Sequence, residues 1–591
     1  MLRPRLLFLL ALLQVFHATA ISGSSCRCLY GDPCWPSQSK FDKLSAQVSQ
    51  PLLFPTPAAQ ACYTSPDSAE CTEAVAQWGN GNWRANHTGA MQSPNFETFT
   101  FSNGTIEGCY LNTTLGLPCG RGSVSVIAVD ARSVSDVQAA VNFAAVYNLR
   151  LAIKNTGHDY LGRSDGRGSF MLWTHNMKNI TVHPSFTPAG APTNESYEYA
   201  ITLEAGVQWH EAYSAANDAG RVLVGGASGG GSVGAAGGWI QGGGHSALSA
   251  SFGLGVDNVL EISVVTSNGS YLVTNAYQHP DLFWALRGGG GGTYAVATSV
   301  TYRTRPSFPV IGAFLSASIN TSSLTPNAAL SAAFTELVRI TPQLTDQGWG
   351  GYSMFKPSNS SVSFVIRYVV PDSSPESAAQ ANATMSAYLT HVQELAANAT
   401  QAGDSTVVQS AYTASFASWW DWYVPLFSTG ESVGFNVELG SWLLPRDVVE
   451  SDHEHVAETL VNIPAISWYL VCGGAASNVS ADAAGINPAW RKAVVHVVGA
   501  TTWSDGATLE EINAAREILK SDTAKMRALA PESGAYYNEA SPYEPNPAQA
   551  FFGSHYNKLR AIKAVYDPIN LFVVTEGVGS DEWDDSLTCR K

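Results

Sequence analysis

After its first twenty residues the chain offers no uninterrupted apolar stretch of about eighteen residues or more, so nothing there reads as a bilayer-spanning helix. Charge is scarce: Asp, Glu, Lys and Arg make up 14% of the residues, against 45% hydrophobic ones. That balance excludes a disordered chain and fits a large globular protein with several packed cores. Basic charge is scarcest, with 32 Lys and Arg against 48 Asp and Glu and a formal net charge of -16. Such an acidic surface argues against nucleic acid and against an anionic membrane as partners. Cysteine is almost missing beyond residue 119, where only Cys472 and Cys589 remain of nine. No His/Cys pair at zinc-finger spacing follows Cys26-x-Cys28, and no metal is expected. No lysine closes any glycine-rich stretch, which excludes a P-loop.

What is present begins with a leader. Arg3 and Arg5 precede an apolar run from Leu6 to Phe16 and the small-residue site Ala18-Thr-Ala20, the pattern of a secretory signal over residues 1–20. Its removal leaves 30 minus 48, or -18, on the mature chain. Eleven Asn-x-Ser/Thr sequons between Asn86 and Asn478 fit the same route, and an extracellular monomer is expected. The seven cysteines from Cys26 to Cys119 predict a disulfide-stapled segment over 21–120, packed on the outside of the domains C-terminal to it. An odd total leaves one thiol. Cys472, in the apolar run Trp468-Tyr-Leu-Val-Cys472, reads as a buried strand residue, and Cys589 is placed to reach back to the N-terminal cluster.

From Ser123 the texture changes. Val124–Val129 is a candidate strand, Ser135–Tyr147 an amphipathic helix capped by Ser135, and Leu151–Lys154 a second strand, together one β-α-β unit ending at Asn155-Thr-Gly-His158. Further strands are predicted at Tyr199–Ala205, Leu260–Thr266, Tyr271–Thr274 and Tyr294–Arg303, before a boundary at Pro306-x-x-Pro309. Strands at Val362–Val370 and Ala493–Val498 then alternate with helices at Ser373–Asn398 and Leu509–Leu529, as in an antiparallel sheet covered by helices. The fold class is α+β. Its expected parts are a nucleotide-type domain over 121–307, a substrate domain over 308–530 and a C-terminal return over 531–591.

Glycines crowd Gly225–Gly244 and fill Gly288–Gly292. Such density marks backbone that adopts positive φ or lies against a ligand, and successive N–H groups in such turns cradle a pyrophosphate. A Rossmann fingerprint would open a helix after a first strand. Gly242-Gly-Gly-His245 comes after a glycine-saturated loop instead.

Several stretches carry a resemblance. Asn155-Thr-Gly-His158-Asp-Tyr160-Leu-Gly162-Arg-Ser164, Ser232-Val233-Gly234-Ala-Ala-Gly237-Gly238-Trp-Ile-Gln-Gly242-Gly243-Gly-His245, Gly253-Leu-Gly-Val-Asp257-Asn258 and Asp281-Leu-Phe-Trp284-Ala-Leu-Arg287 resemble the FAD-binding domain of the vanillyl-alcohol-oxidase superfamily. Tyr556-Asn-Lys-Leu-Arg560 and Tyr566-Asp-Pro-Ile-Asn570-Leu-Phe572 are similar to its berberine-bridge-enzyme-like branch. The Cys26–Ser37 stretch resembles secreted fungal isoamyl alcohol oxidase-like members.

The resemblance implies FAD joined covalently to His158. Gly157, Gly162, Ser164, Gly234, Gly237, Gly238, Gly243, His245 and Asn570 are implied to hold the rest of it. Many relatives have a second tether, a cysteine three residues before Val233. Gly230 stands here, so a single attachment is expected. Val233 matches a position implied to admit oxygen. Where relatives carry Tyr-x-Asn-Tyr, Tyr536-Tyr537-Asn538-Glu539 puts a carboxylate in the last tyrosine's place. Glu539 reads as a base with its pKa raised by burial, or as a solvated loop acid. Tyr160 is implied to orient substrate. His496, mid-strand, points at the flavin or is a satisfied core histidine, and Trp419, Trp420 and Trp422 suggest an apolar wall. The expected activity is an oxidase taking hydride from a small alcohol-like substrate and reducing oxygen to hydrogen peroxide. The alternatives are a flavoenzyme dehydrogenating or cyclising a bulky secondary metabolite, a carbohydrate oxidase, or a non-catalytic protein that keeps the fold.

Overall fold

A computed structural model describes residues 26–320, 327–357, 361–372, 374–401, 405–428 and 433–591. The leader expected over residues 1–20 lies outside them. Strands β1 (Ile127–Asp130), β2 (Leu151–Lys154) and β3 (Phe170–Trp173) run parallel in the order β1-β3-β2. Helix α1 (Val134–Val146) connects β1 to β2. Its cap is Ser133, which accepts from the Asp136 amide, rather than Ser135. Ser135 falls inside the first turn, because the Asp136 carboxylate also binds the Ser49 and Arg132 amides and the cap lies two residues earlier than expected. The sequence hid β3. Its four residues are all buried, so they show none of the alternation that marks a half-buried strand.

A second, antiparallel sheet holds β4 (Ile180–Phe186), β5 (Tyr197–Glu204), β6 (Val259–Val265), β7 (Tyr271–Thr274) and β8 (Val296–Arg303) in the order β7-β6-β8-β5-β4. Helix α2 (Trp209–Asp218) comes after β5. Trp209, at its first position, is fully buried against Trp239 of the long glycine loop.

The third sheet has seven antiparallel strands: β9 (Val310–Asn320), β10 (Gly350–Pro357), β11 (Ser361–Pro371), β12 (Thr406–Phe416), β13 (Asn436–Pro445), β14 (Ile466–Leu470) and β15 (Ala493–Trp503). Their order is β12-β9-β11-β10-β14-β15-β13. Helices α3 (Ala328–Asp346), α4 (Pro375–Gln401), α5 (Trp419–Phe427) and α6 (Leu509–Leu529) belong to the same part of the chain. Strand alternation separates the two faces. Trp468 of β14 turns to α3, where its ring meets Phe334 at 5.5 Å and its Nε1 donates to Thr341 at 3.0 Å. Its neighbour Tyr469 turns the other way, towards Tyr352 and His496.

Four disulfides join Cys26 to Cys589, Cys28 to Cys34, Cys62 to Cys71 and Cys109 to Cys119. Cys589 thus reaches back as expected, and Cys472 is the free, buried thiol. It sits just past the end of β14, not within it. Burial pushes it well above the ordinary thiol range. The N-terminal segment is more deeply set than its composition suggests. Arg84 is wholly buried and pairs with Glu97 at 2.6 Å. Such a buried pair holds only because both groups are matched. Among the described residues no helix is long and apolar enough to cross a membrane.

Titration with a thiol reagent is expected to return no accessible thiol in the native protein and one per chain after unfolding without reductant. Two or more would contradict the pairing.

Candidate active site

A cavity of about 860 Å³ opens between the parallel sheet, the glycine loops and the inner face of the seven-stranded sheet. That volume is of the size class that takes a cofactor or a drug-sized ligand. Of the residues expected at the site, Gly157, His158, Tyr160, Ser164, Val233, Gly234, Gly237, Gly238, His245 and Glu539 all line it.

The loop after β2 carries His158. Gly157 has φ +80°, a conformation that favours glycine, and a Cβ there would crowd the Ala90 carbonyl at 3.2 Å. The N-terminal segment supports this loop from below. The Gln92 amide donates to the Gly157 carbonyl and its side chain to the Thr156 carbonyl, each at 2.9 Å. Lys154 donates to the carbonyls of His87 at 2.6 Å, Thr88 at 3.0 Å and Ala90. Burial lowers its pKa to about 8, against the pull of Asp165 and Glu97. The extension is therefore part of the site's scaffold as well as an outer layer. His158 Nε2 lies 2.5 Å from the Ser232 hydroxyl, so the two glycine-rich segments meet at the histidine. Ser232 and Asn155 were missed by sequence reasoning. A Cβ on Gly234 would come within 2.8 Å of Asn155 Oδ1, the close approach that motif's glycine permits.

Several buried polar atoms here have no hydrogen-bond partner: Asn155 Oδ1, Arg163 Nη1 and Gln241 Oε1, all on cavity-lining residues. Gly238 turns bare backbone to open space, with nothing within 4 Å of its Cβ position. Buried polar groups left unpaired cost about 1–3 kcal/mol each, so these walls are shaped for a polar occupant. Arg163, also missed, pairs with Asp159, donates to Asn538 at 3.0 Å and lies 4.4 Å from the centre of the Tyr537 ring.

At the other end, Glu539 Oε1 lies 3.0 Å from His245 Nε2, and Oε2 lies 3.7 Å from His496 Nδ1. His245, expected among the residues that hold the cofactor, is bonded to Glu539. Burial alone would raise the Glu539 carboxyl, but His245, by charge and hydrogen bond, outweighs it and brings the pKa below the ordinary value. The expected upward shift is thereby corrected. His496 is wholly buried and does not line the cavity. Burial pushes its pKa down to about 3, so it is neutral, and neither ring nitrogen has a hydrogen-bond partner. The core reading of His496 as a satisfied histidine therefore fails.

Besides His496, three expected residues lie off the cavity wall. Gly162 faces Phe96, and Gly243, at φ +129°, is packed against Ile486. Asn570 has φ +50°, and its carbonyl accepts from Arg27, tying the C-terminal return to the N-terminus. The return reaches the cavity two residues later, through Phe572, Val573 and Val574. The tryptophans of α5 do not form the wall either. Trp419 and Trp422 are buried behind it, and Leu426 and Phe427 of the same helix reach the cavity.

Residues 126–275 match the FAD binding domain family, and residues 535–579 match the family described as berberine and berberine like. The chain is 36% identical to an uncharacterized FAD-linked oxidoreductase of Arthroderma benhamiae, over 99% of both chains. It is 33% identical to the VAO-type flavoprotein oxidase VAO615 of Thermothelomyces thermophilus, over 96% of this chain and 95% of that one. The chain belongs to the vanillyl-alcohol-oxidase superfamily, berberine-bridge-enzyme-like branch. Its fold matches the VAO-type flavoprotein MtVAO615 of Myceliophthora thermophila, with TM-score 0.78, 30% identity and coverage of 96% and 100%. Berberine bridge enzyme from Eschscholzia californica shares the fold at 15% identity, with TM-score 0.66 over 91% of this chain and 98% of that one.

This flavoprotein is an FAD-linked oxidoreductase. The cavity fits FAD in kind. The unpartnered atoms Asn155 Oδ1, Arg163 Nη1 and Gln241 Oε1 and the open backbone at Gly238 suit a ligand rich in hydrogen-bonding groups.

Lys154→Met removes the donor to the Thr88 and Ala90 carbonyls and one of the two donors to the His87 carbonyl, and is expected to cost about 2 kcal/mol or more. Denaturant unfolding should show the loss, and the purified variant should carry less flavin per chain. Wild-type stability with full flavin content would contradict the supporting role.

Proposed function

We propose that this flavoprotein is a secreted oxidase that takes hydride from a small alcohol-like substrate, reduces oxygen to hydrogen peroxide and carries its FAD on His158 alone. The observation that carries the reading is the Glu539 carboxylate, held by His245 at 3.0 Å in the cavity that also contains His158. FAD, when bound, supplies the acceptor for the substrate's hydride. Glu539 accepts the hydroxyl proton, a transfer that requires a base within hydrogen-bond reach. His245 keeps that carboxylate ionised and aimed. His496 backs it with a neutral ring that does not compete for the proton. Tyr160 orients the substrate, and Val233 leaves room for oxygen.

Gly157, Ser164, Gly234, Gly237 and Gly238 contribute backbone to the pyrophosphate, with Gly162, Gly243 and Asn570 shaping the loops around it. The FAD domain takes residues 121–307 and 531–591, and the substrate domain takes 308–530. Gly230, which offers no thiol, supports a single tether, and an oxidase among the relatives supports oxygen as acceptor. The leader, the sequons and the four disulfides support secretion. A second reading, a bulky secondary metabolite or a carbohydrate as substrate, draws on the cavity's size. A peroxide-coupled screen of alcohols, sugars and phenols separates the two.

Acid precipitation is expected to leave yellow colour in the wild-type pellet, on the peptide containing His158, and to strip it from His158→Ala. A yellow pellet from that variant ends the single-tether assignment.

Glu539→Gln is expected to lower kcat about 100-fold or more with little change in KM. Because the Glu539 pKa lies below its usual 4.5, the acid limb of kcat/KM should fall below that pH. His245→Ala removes the group that stabilises the anion, so the limb should move to higher pH. Ligand-type atoms of His245, His496 and Glu539 lie within 4.8 Å of one another, close enough to suit a divalent cation. A carboxylate serving as base predicts full activity after dialysis against EDTA, and loss restored by added metal would reassign it.

A further inference from the structure

We propose that the substrate is a hydrophobic alcohol bearing a carboxylate, with Arg367 as the anchor for that anion. The assignment rests on the reading of Glu539 as the base that meets the hydroxyl. Its geometry comes from the register of the seven-stranded sheet. Arg367 of β11 stands opposite Tyr352 of β10, Tyr352 opposite Tyr469 of β14, and Tyr469 opposite His496 of β15. Directly paired residues share a face, so these four form one row across the sheet. Arg367, Tyr352 and Tyr469 line the cavity, and His496 abuts Glu539. Neighbouring strands are about 4.8 Å apart, so three steps separate the backbone beneath the guanidinium from that beneath His496 by roughly 14 Å.

The charges on the cavity wall single out Arg367. Arg163 is neutralised by Asp159, and Glu539 is engaged by His245. Among the described residues no hydrogen bond or ion pair engages the Arg367 guanidinium, which is exposed. Between it and Glu539 the wall is mainly apolar or aromatic. The two tyrosine rings meet at 5.0 Å, and the adjacent row offers Val365, Met354 and Val498, with Ser467 as its one polar member. A pocket with one unpaired cation at one end, a proton acceptor at the other and an oily floor between them is complementary to a long molecule with an anion at one end and an oxidisable carbon further along. A guanidinium recognises a carboxylate by paired, charge-assisted hydrogen bonds.

The holoenzyme tests this in two ways. Binding of decanoate, its primary amide and decylamine is read from tryptophan fluorescence. The carboxylate is expected to bind at least tenfold tighter than the amide, and the ammonium not to bind. Arg367→Leu should erase that margin without changing affinity for the amide, and Arg367→Lys should restore part of it. Turnover is then compared between ω-hydroxy carboxylates and neutral alcohols of equal length. Arg367→Leu should raise KM about tenfold for the acids alone and leave kcat unchanged. Equal binding of carboxylate and amide, or a margin that survives in Arg367→Leu, overturns the anchor. Flavin reduction by neutral alcohols without that margin overturns the anchor while the oxidase reading stands. An Arg367-dependent margin with no flavin reduction by any alcohol supports the anchor and removes the oxidase reading.

Discussion

The grip of one buried ammonium on three backbone carbonyls sets the rest of the site. Lys154 ends β2, and its side chain is wholly buried, yet its donors go to the carbonyls of His87, Thr88 and Ala90 instead of to a carboxylate. A charge in that position is tolerable only because those dipoles replace its water. The same contact fastens the disulfide-rich N-terminal segment beneath the next four residues, Asn155 to His158. With the underside held by Lys154 and Gln92, His158 projects into the cavity and can meet Ser232 from the second glycine loop.

The far end of the cavity obeys a different logic. Here the sheet's register does the positioning: antiparallel pairing puts His496, Tyr469 and Tyr352 in line, while Glu539 arrives from a short turn outside the sheet. Burial disfavours the carboxylate, and His245 favours it. The outcome is decided by His245 at hydrogen-bond distance, a residue from the glycine loop. One loop therefore serves both ends, with bare backbone near Gly234 to Gly238 and an imidazole at His245.

Much of this was legible in the residues. Helix α6 runs from Leu509 to Leu529 as its amphipathic pattern predicts, and β7 keeps its predicted bounds. The Cys589 link and the lone Cys472 were implied by the count and placement of the cysteines. Other features were not readable, each for a physical reason. Strand β3 is buried throughout and shows no period. Arg163 and Asp159 are ordinary polar residues until folding buries them as a pair. The direction of the Glu539 shift depended on His245, nearly three hundred residues away in sequence, and no local pattern encodes that distance. The N-terminal segment looked like an appendage because its low periodicity conceals how many of its carbonyls are used by the core.

The link between Cys26 and Cys589, reinforced by Arg27 on the Asn570 carbonyl, makes the polypeptide a closed ring in all but name. Part of the flavin cavity, Phe572 to Val574, lies only 15 residues before the last cysteine. A ribosome must therefore release almost the whole chain before the vessel for the cofactor can be sealed. Closure of that vessel is thereby a late event of biosynthesis, coupled to the oxidation that welds the two ends together.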